Sequence, residues 1–171
     1  MSKTLLIKKK INPFNKKITV NGDKSLSIRW VLLASQAIGK SKAYNLLMSE
    51  DVVAALEAIK KLGIRVLIKK NYCEIFGKGL NNFTYKNGLV INAKNSGTLG
   101  RLILGLLIKS TKKIKLIGDK SLSKRDFSRV TEPLKKFGAK FHYKVKNKLP
   151  LSIIGSHNSK DIRYVENKGS A

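Results

Sequence analysis

Apolar positions along this chain fall into two alternating rhythms. Ile28, Val31, Leu32 and Leu33 recur at helical spacing after Lys24-Ser25, with Gly39 placed to close that helix. Val52, Ala55, Leu56, Ile59 and Leu62 form a second helical stripe. Ser49 stands at its cap position, Glu50 and Asp51 lie in its first turn, and Gly63 stands at its end. Between and after these helices the pattern shifts to short runs. Ala43–Leu47 reads as a strand, and Ile64–Ile68 with Tyr72–Phe76 as a strand pair. Further strands are read at Leu89–Ile91, Lys113–Ile117, Ala139–Val145 and Leu151–Ile154. Helices are read over Ser96–Lys109 and Phe127–Phe137, the latter ended by Gly138. Ahead of all this, Leu5–Ile7 and Lys17–Val20 read as short strands around a turn at Asn12-Pro13.

The order of elements repeats. Ile-Lys-Lys-Leu-Gly-Ile at 59–64 matches Leu-Lys-Lys-Phe-Gly-Ala at 134–139, and Arg29 with its following apolar run matches Arg101 with its own. The chain is therefore read as α/β (α+β), with two copies of a β-α-β-α-β-β unit at about 21–86 and 87–155. Residues 156–171 read as the lead-in to a third copy, which suggests a fragment of a longer protein. Each unit needs neighbours to bury its helix stripe, so two units alone predict marginal stability or aggregation. The hexapeptide Gly-Asp-Lys-Ser-Leu-Ser also occurs twice, at 22–27 and 118–123, but at non-equivalent places in the two units. That duplication reads as partly coincidental.

Composition narrows the picture. The 171 residues are 42% hydrophobic, enough for one ordinary domain. The run from Leu102 to Ile108 is too short to span a bilayer, and the N-terminal residues lack a signal-peptide core. A single cysteine, Cys73, fits a reducing compartment, so the cytoplasm is the expected location. The formal charge of +26 raises a nucleic-acid or polyanion-binding reading. Against it, the lysines are spread over every segment, as A/T-biased codons would produce, and aromatics total 7% and scatter. His142 and His157 lack partners at metal-ligand spacing, and Cys73 and Trp30 read as packing residues.

Arginine is the informative cation. Only six of the 36 basic residues are Arg, and four of the six sit in or beside Gly/Ser/Thr/Asp motifs. A guanidinium grips a phosphate or carboxylate with two hydrogen bonds, which an ammonium cannot do. Gly22-Asp23-Lys24-Ser25-Leu26-Ser27-Ile28-Arg29 places such groups at a strand-to-helix entry, where backbone N–H groups favour anions. Asn95-Ser96-Gly97-Thr98 with Arg101 repeats the theme, Gly97 allowing close approach to the backbone. Arg125-Asp126-Phe127-Ser128-Arg129 opens the next helix. Each stretch alone is equally an ordinary capped helix start, and Arg129 reads as a solvated helix face.

Together, and in order, these stretches resemble the 5-enolpyruvylshikimate-3-phosphate synthase family. The resemblance rests on Gly-Asp-Lys-Ser-x-Ser-x-Arg, Asn-Ser-Gly-Thr-x-x-Arg and Gly-Asp-x-Ser-Leu-x-x-Arg, and it covers 21–171. The sister enzymes acting on UDP-N-acetylglucosamine carry Lys-Asn where Lys24-Ser25 stand here. The resemblance implies two domains of three repeats each, with 1–20 belonging to the other domain and 21–171 an incomplete one. It implies that Lys24, Ser25, Arg29 and Ser170 bind shikimate 3-phosphate. It implies that Gly97 and Arg125 hold phosphoenolpyruvate, with Asn95 and Arg101 shaping that pocket and Lys24 reaching both substrates. The implied reaction is metal-free and cofactor-free enolpyruvyl transfer in aromatic amino acid biosynthesis, by a monomer when full length, with no membrane or specific nucleic-acid partner. Its acid/base residues are implied to lie outside this chain, so no turnover by the chain alone is expected. Two departures stand out: Lys94 where the family has Gly, and Asp126 in place of a common Pro.

Overall fold

The computed structural model describes residues 4, 6, 8, 10, 12–158 and 160–165. Unit one comprises α1 (Lys24–Gln36), β1 (Ile38–Tyr44), α2 (Glu50–Lys61), β2 (Arg65–Ile68) and β3 (Tyr72–Lys78). Unit two comprises β4 (Leu89–Asn92), α3 (Gly97–Leu106), β5 (Ile114–Ile117), α4 (Lys120–Lys124), α5 (Ser128–Lys136), β6 (Lys140–Tyr143) and β7 (Leu151–Ile154). Their sheets run β1-β3-β2 and β4-β5-β7-β6. Matching β1, β2 and β3 to β5, β6 and β7 superimposes the two orders, which is the expected internal repeat. In unit two, β4 lies parallel beside β5. The equivalent residues of unit one, Lys17–Val20, are described but form no strand. They lack a backbone ladder, and a side-chain bond from Asn45 Nδ2 to the Val20 carbonyl is what ties them down. Of the other expected strand, Leu5 and Ile7 lie outside the described residues.

The helices of both units meet in one core. α1 touches α2 and α3, and α3 touches α5. Val52, Ala55, Leu56, Ile59 and Leu62 are all buried, as the stripe predicts. Each Val, Leu or Ile so buried contributes about 1.5–3 kcal/mol before entropy is counted. The sheets turn one face to these helices. Cys73 and Ile75 of β3 and Ile114 and Leu116 of β5 point inward, while Tyr72, Glu74 and Lys115 alternate outward. Trp30 is only half-buried, packing on the rim of the core. Burial pushes the Cys73 thiol pKa upward, in keeping with a packing role.

Several local readings need correction. Leu33 is 68% exposed, because it lies about 100° round the helix from Leu32 and the stripe continues to Ser35. Gly39 does not close α1; Ala37 does, and Gly39 sits inside β1 at φ +87° opposite Gly77. The strand read at Ala43–Leu47 is displaced toward the N-terminus, ending where Asn45 turns to φ 53°. Ser49 occupies the cap position of α2 but makes no side-chain cap bond, and its hydroxyl is buried without a partner. The helix read from Phe127 begins at Ser128, and the one read over Ser96–Lys109 is shorter at both ends. α4 was not legible, since five residues cannot show a period.

Candidate functional site

The duplicated hexapeptide forms the same aspartate cap twice, at the non-equivalent places in the two units that the sequence reading gives it. Asp23 Oδ1 accepts from Leu26 N at 2.7 Å, and Asp119 Oδ1 accepts from Leu122 N at 2.7 Å. Each aspartate caps the helix that its Lys-Ser-Leu-Ser begins, α1 in one unit and α4 in the other.

At the first copy, Lys24 is exposed and pairs with Asp51 of α2 at 3.2 Å. Arg29 lies one turn along and donates to the Ser25 carbonyl at 3.2 Å. Ser25 is half-buried between them. An ion pair this exposed is worth about 0–1 kcal/mol, so an incoming dianion can compete for Lys24. Asp51 is a residue that sequence reading assigned only to helix capping.

At the second, three expected residues converge. Gly97 is buried at the start of α3, where Ser96 supplies the cap. A methyl group added to Gly97 would stand 2.9 Å from Arg125 Nη1 and 3.0 Å from Arg101 Nη1. Both guanidinium groups therefore lie over one small patch of backbone that only glycine leaves open. Arg101 is steadied by the Asp126 carbonyl at 3.4 Å and by the Phe127 ring, 5.4 Å from its guanidinium carbon. Arg125 ends α4, where the sequence reading put it at the start of the following helix. Asn95 donates to Asp119 Oδ2 at 2.6 Å. Asp119 was missed as a site residue, although its place in the repeated hexapeptide was the available signal.

Replacing Gly97 by Ala is expected to leave the melting temperature nearly unchanged, because the crowded atoms are ends of flexible arms. It should weaken binding of a small phosphorylated or carboxylated anion there about tenfold, the cost of about one charge-assisted hydrogen bond. Calorimetric titration beside a thermal melt checks both halves.

Asp119 carries a lowered pKa. The Leu122 backbone N–H is the first cause and the Asn95 amide the second, with Arg125 adding a smaller attraction. Since the folded value lies below the unfolded one, its stabilising effect is in place above about pH 4. That effect is lost as the pH falls through the lower folded value. Carboxyl NMR should show Asp119 titrating below an ordinary aspartate, and Asn95→Ala should bring the midpoint upward.

The two departures from the family pattern have physical readings. Lys94 adopts φ 52°, the left-handed region where glycine carries no penalty. Lys94→Gly is expected to raise stability by about 0.5–1 kcal/mol, strain relief exceeding the added chain entropy; urea denaturation measures it. Asp126 accepts from both the backbone N–H and the hydroxyl of Ser128, organising the start of α5 in its own way. Those bonds, the Ser128 hydroxyl first, lower its pKa.

The anion-friendly groups line open surface. Two larger depressions, of about 520 and 600 Å³, lie around the β2–β3 turn instead. Ser170 lies outside the described residues. The groups at α1 and those at α3–α4 stand on neighbouring helices, α1 touching α3. No direct bond between the two sets is observed among the described residues. No described helix is long and apolar enough to cross a membrane.

Comparison with known proteins follows the same lines. The family model for EPSP synthase (3-phosphoshikimate 1-carboxyvinyltransferase) matches residues 8–171. A 3-phosphoshikimate 1-carboxyvinyltransferase of Streptococcus pyogenes serotype M4 is 39% identical over 153 residues, covering 89% of this chain and 36% of that protein. Its counterpart from serotype M3 is 36% identical over 163 residues, covering 95% of this chain and 38% of that protein. A solved structure of EPSP synthase from Acinetobacter baumannii superimposes with a TM-score of 0.83 at 32% identity, covering 91% of this chain and 35% of that one. The chain thus spans little more than a third of the length of the relatives it matches.

Proposed function

The chain belongs to the EPSP synthase family, and from that premise we propose that it forms the anion-binding front of an enolpyruvyl transferase. The substrates are shikimate 3-phosphate and phosphoenolpyruvate. The observation that carries the reading is the convergence of Arg101 and Arg125 on the Gly97 backbone. Two fork-shaped cations over one backbone patch that carries no side chain suit a phosphate or carboxylate better than any neutral ligand.

Roles follow by position. Lys24, Ser25 and Arg29, at the N-terminal end of α1, take the 3-phosphate, and the helix dipole adds to their attraction. Ser170 is proposed to join them. Arg125, with the Gly97 backbone, takes phosphoenolpyruvate. Arg101 braces that site, and Asn95, held by Asp119, shapes its edge. Lys24 leaves Asp51 and lies between the two anions.

In the transfer, C3 of phosphoenolpyruvate takes a proton while the 5-hydroxyl oxygen attacks C2 and gives up its own proton. The tetrahedral adduct then loses inorganic phosphate and a C3 proton, restoring the double bond. Holding two polyanions side by side is the part this chain supplies, by dense fixed positive charge. The proton-transfer groups lie in the remainder of the protein, and closure around the substrates excludes water. The full-length protein is proposed to be a cytoplasmic monomer.

The test is a pair of titrations of this chain, one with each substrate. Saturable binding of both, with phosphate release near background, is the expected result. Release at the rate of a complete enzyme would overturn the division of labour, and no binding of either substrate would overturn the reading of the site.

A further inference from the structure

The sequence shows scattered aromatics, but the fold gathers two of them on one cationic ledge. Tyr44 at the end of β1 stands opposite Tyr72 at the start of β3, their rings 6.0 Å apart and tilted. Lys42 Nζ lies 3.7 Å from the Tyr72 ring centre and 4.9 Å from that of Tyr44. The β2–β3 turn adds Lys69, Lys70 and Asn71, and with them these groups line the 600 Å³ depression. No carboxylate lines it. Glu74, which faces Lys42 across the strands, is held by Lys40 at 3.6 Å. Tyr44 remains 66% exposed, so a planar group can stack on it.

From this arrangement we infer that the β1–β3 end of the first sheet is a second anion site, one that takes a nucleotide of single-stranded nucleic acid. Lys42 already lies over the Tyr72 ring, so Lys69 and Lys70 meet the phosphate and the exposed Tyr44 ring takes the base. Bulk charge does not account for the choice, since it has no use for exposed rings, whereas a base does. The depression is shallow and open, so a nucleotide would lie against it and stay partly in solvent. A free mononucleotide shares this chemistry, and the test separates the two sources. The site is independent of the enolpyruvyl-transfer reading, since its residues lie outside the Gly97 and Lys24 clusters.

The experiment uses the whole 171-residue chain with a fluorescent 12-mer of oligouridylate, followed by anisotropy at about 0.15 M salt. Competitors are uridine monophosphate and a base-free polyphosphate of matched charge. Tyr44→Leu, on an exposed side chain that leaves the fold intact, and Tyr72→Leu are each expected to weaken oligouridylate binding about tenfold or more. Lys69→Ala with Lys70→Ala should do the same. Lys86→Ala with Lys115→Ala, an equal loss of charge elsewhere, should change it less than about threefold. Competition by the monophosphate at concentrations matching the oligomer supports the site and names a free nucleotide as its occupant; weak competition supports the nucleic acid. Equal losses for the two lysine pairs, unchanged binding by both tyrosine variants, or polyphosphate competing as well as the oligomer would overturn it.

Discussion

Phe127→Ala should cost about 3–5 kcal/mol of folding stability, a large part of what a domain of this size has. Phe127 is fully buried and is among the largest side chains in the core. Its ring edge lies where a methyl on Gly100 would come within 3.4 Å, so α3 is packed directly onto it. Its face carries the Arg101 guanidinium, and its backbone N–H is taken by the Asn147 carbonyl at 2.9 Å. Removing the ring leaves a void between α3 and the start of α5 that neighbouring backbones cannot close. The loss has a second consequence, since Arg101 rests on that ring. Chemical denaturation followed by circular dichroism measures the first effect. A cost below about 1 kcal/mol would mean that α3 and α5 are not packed as described.

Arg125→Ala is expected to act oppositely, weakening anion binding while sparing the fold. Arg125 is exposed and follows a five-residue helix whose capping rests on Asp119, not on Arg125. Truncation should leave the melting temperature within a degree or two. Phosphoenolpyruvate affinity, by contrast, should fall by about 10–100-fold, the worth of a charge-assisted pair of hydrogen bonds. Arg125→Lys keeps the charge and loses the fork, so it should recover only part of the affinity. A matching loss on Arg125→Ala for an unrelated anion such as sulfate would reduce Arg125 to general electrostatics.

The sequence exposed these two residues unequally. Phe127 was visible as one apolar position among several, and only the packing of Gly100 and Arg101 on it gives it weight. Arg125 stood out because arginine is scarce, but the turn that aims it at Gly97 depends on α4, which is too short for periodicity to reveal. The α2 stripe was legible in full, because its five apolar positions face one way and nothing polar competes. β1 was obscured, because its solvent face mixes Ile38 and Tyr44 with Lys40 and Lys42, and its inner face carries only the small, half-buried Ser41 and Ala43. Its inner face therefore shows no large apolar residue. The same strand hid the tyrosine ledge, since only the β1–β3 register brings Tyr44 to Tyr72. The contacts of Asp51 with Lys24 and of Asp119 with Asn95 were likewise hidden, although the repeated hexapeptide marked Asp119 itself. Each is a contact between elements far apart in the chain.

The central claim is that this chain holds two different anions at two neighbouring helix starts. The most direct measurement is an amide NMR titration of the 171-residue chain with shikimate 3-phosphate and with phosphoenolpyruvate, separately and together. Shikimate 3-phosphate should shift Lys24, Ser25 and Arg29 first, and phosphoenolpyruvate should shift Gly97, Arg101 and Arg125 first. Both sets should move when both ligands are present. Shifts spread evenly over the lysine-rich surface, with neither cluster preferred by either ligand, would contradict the claim.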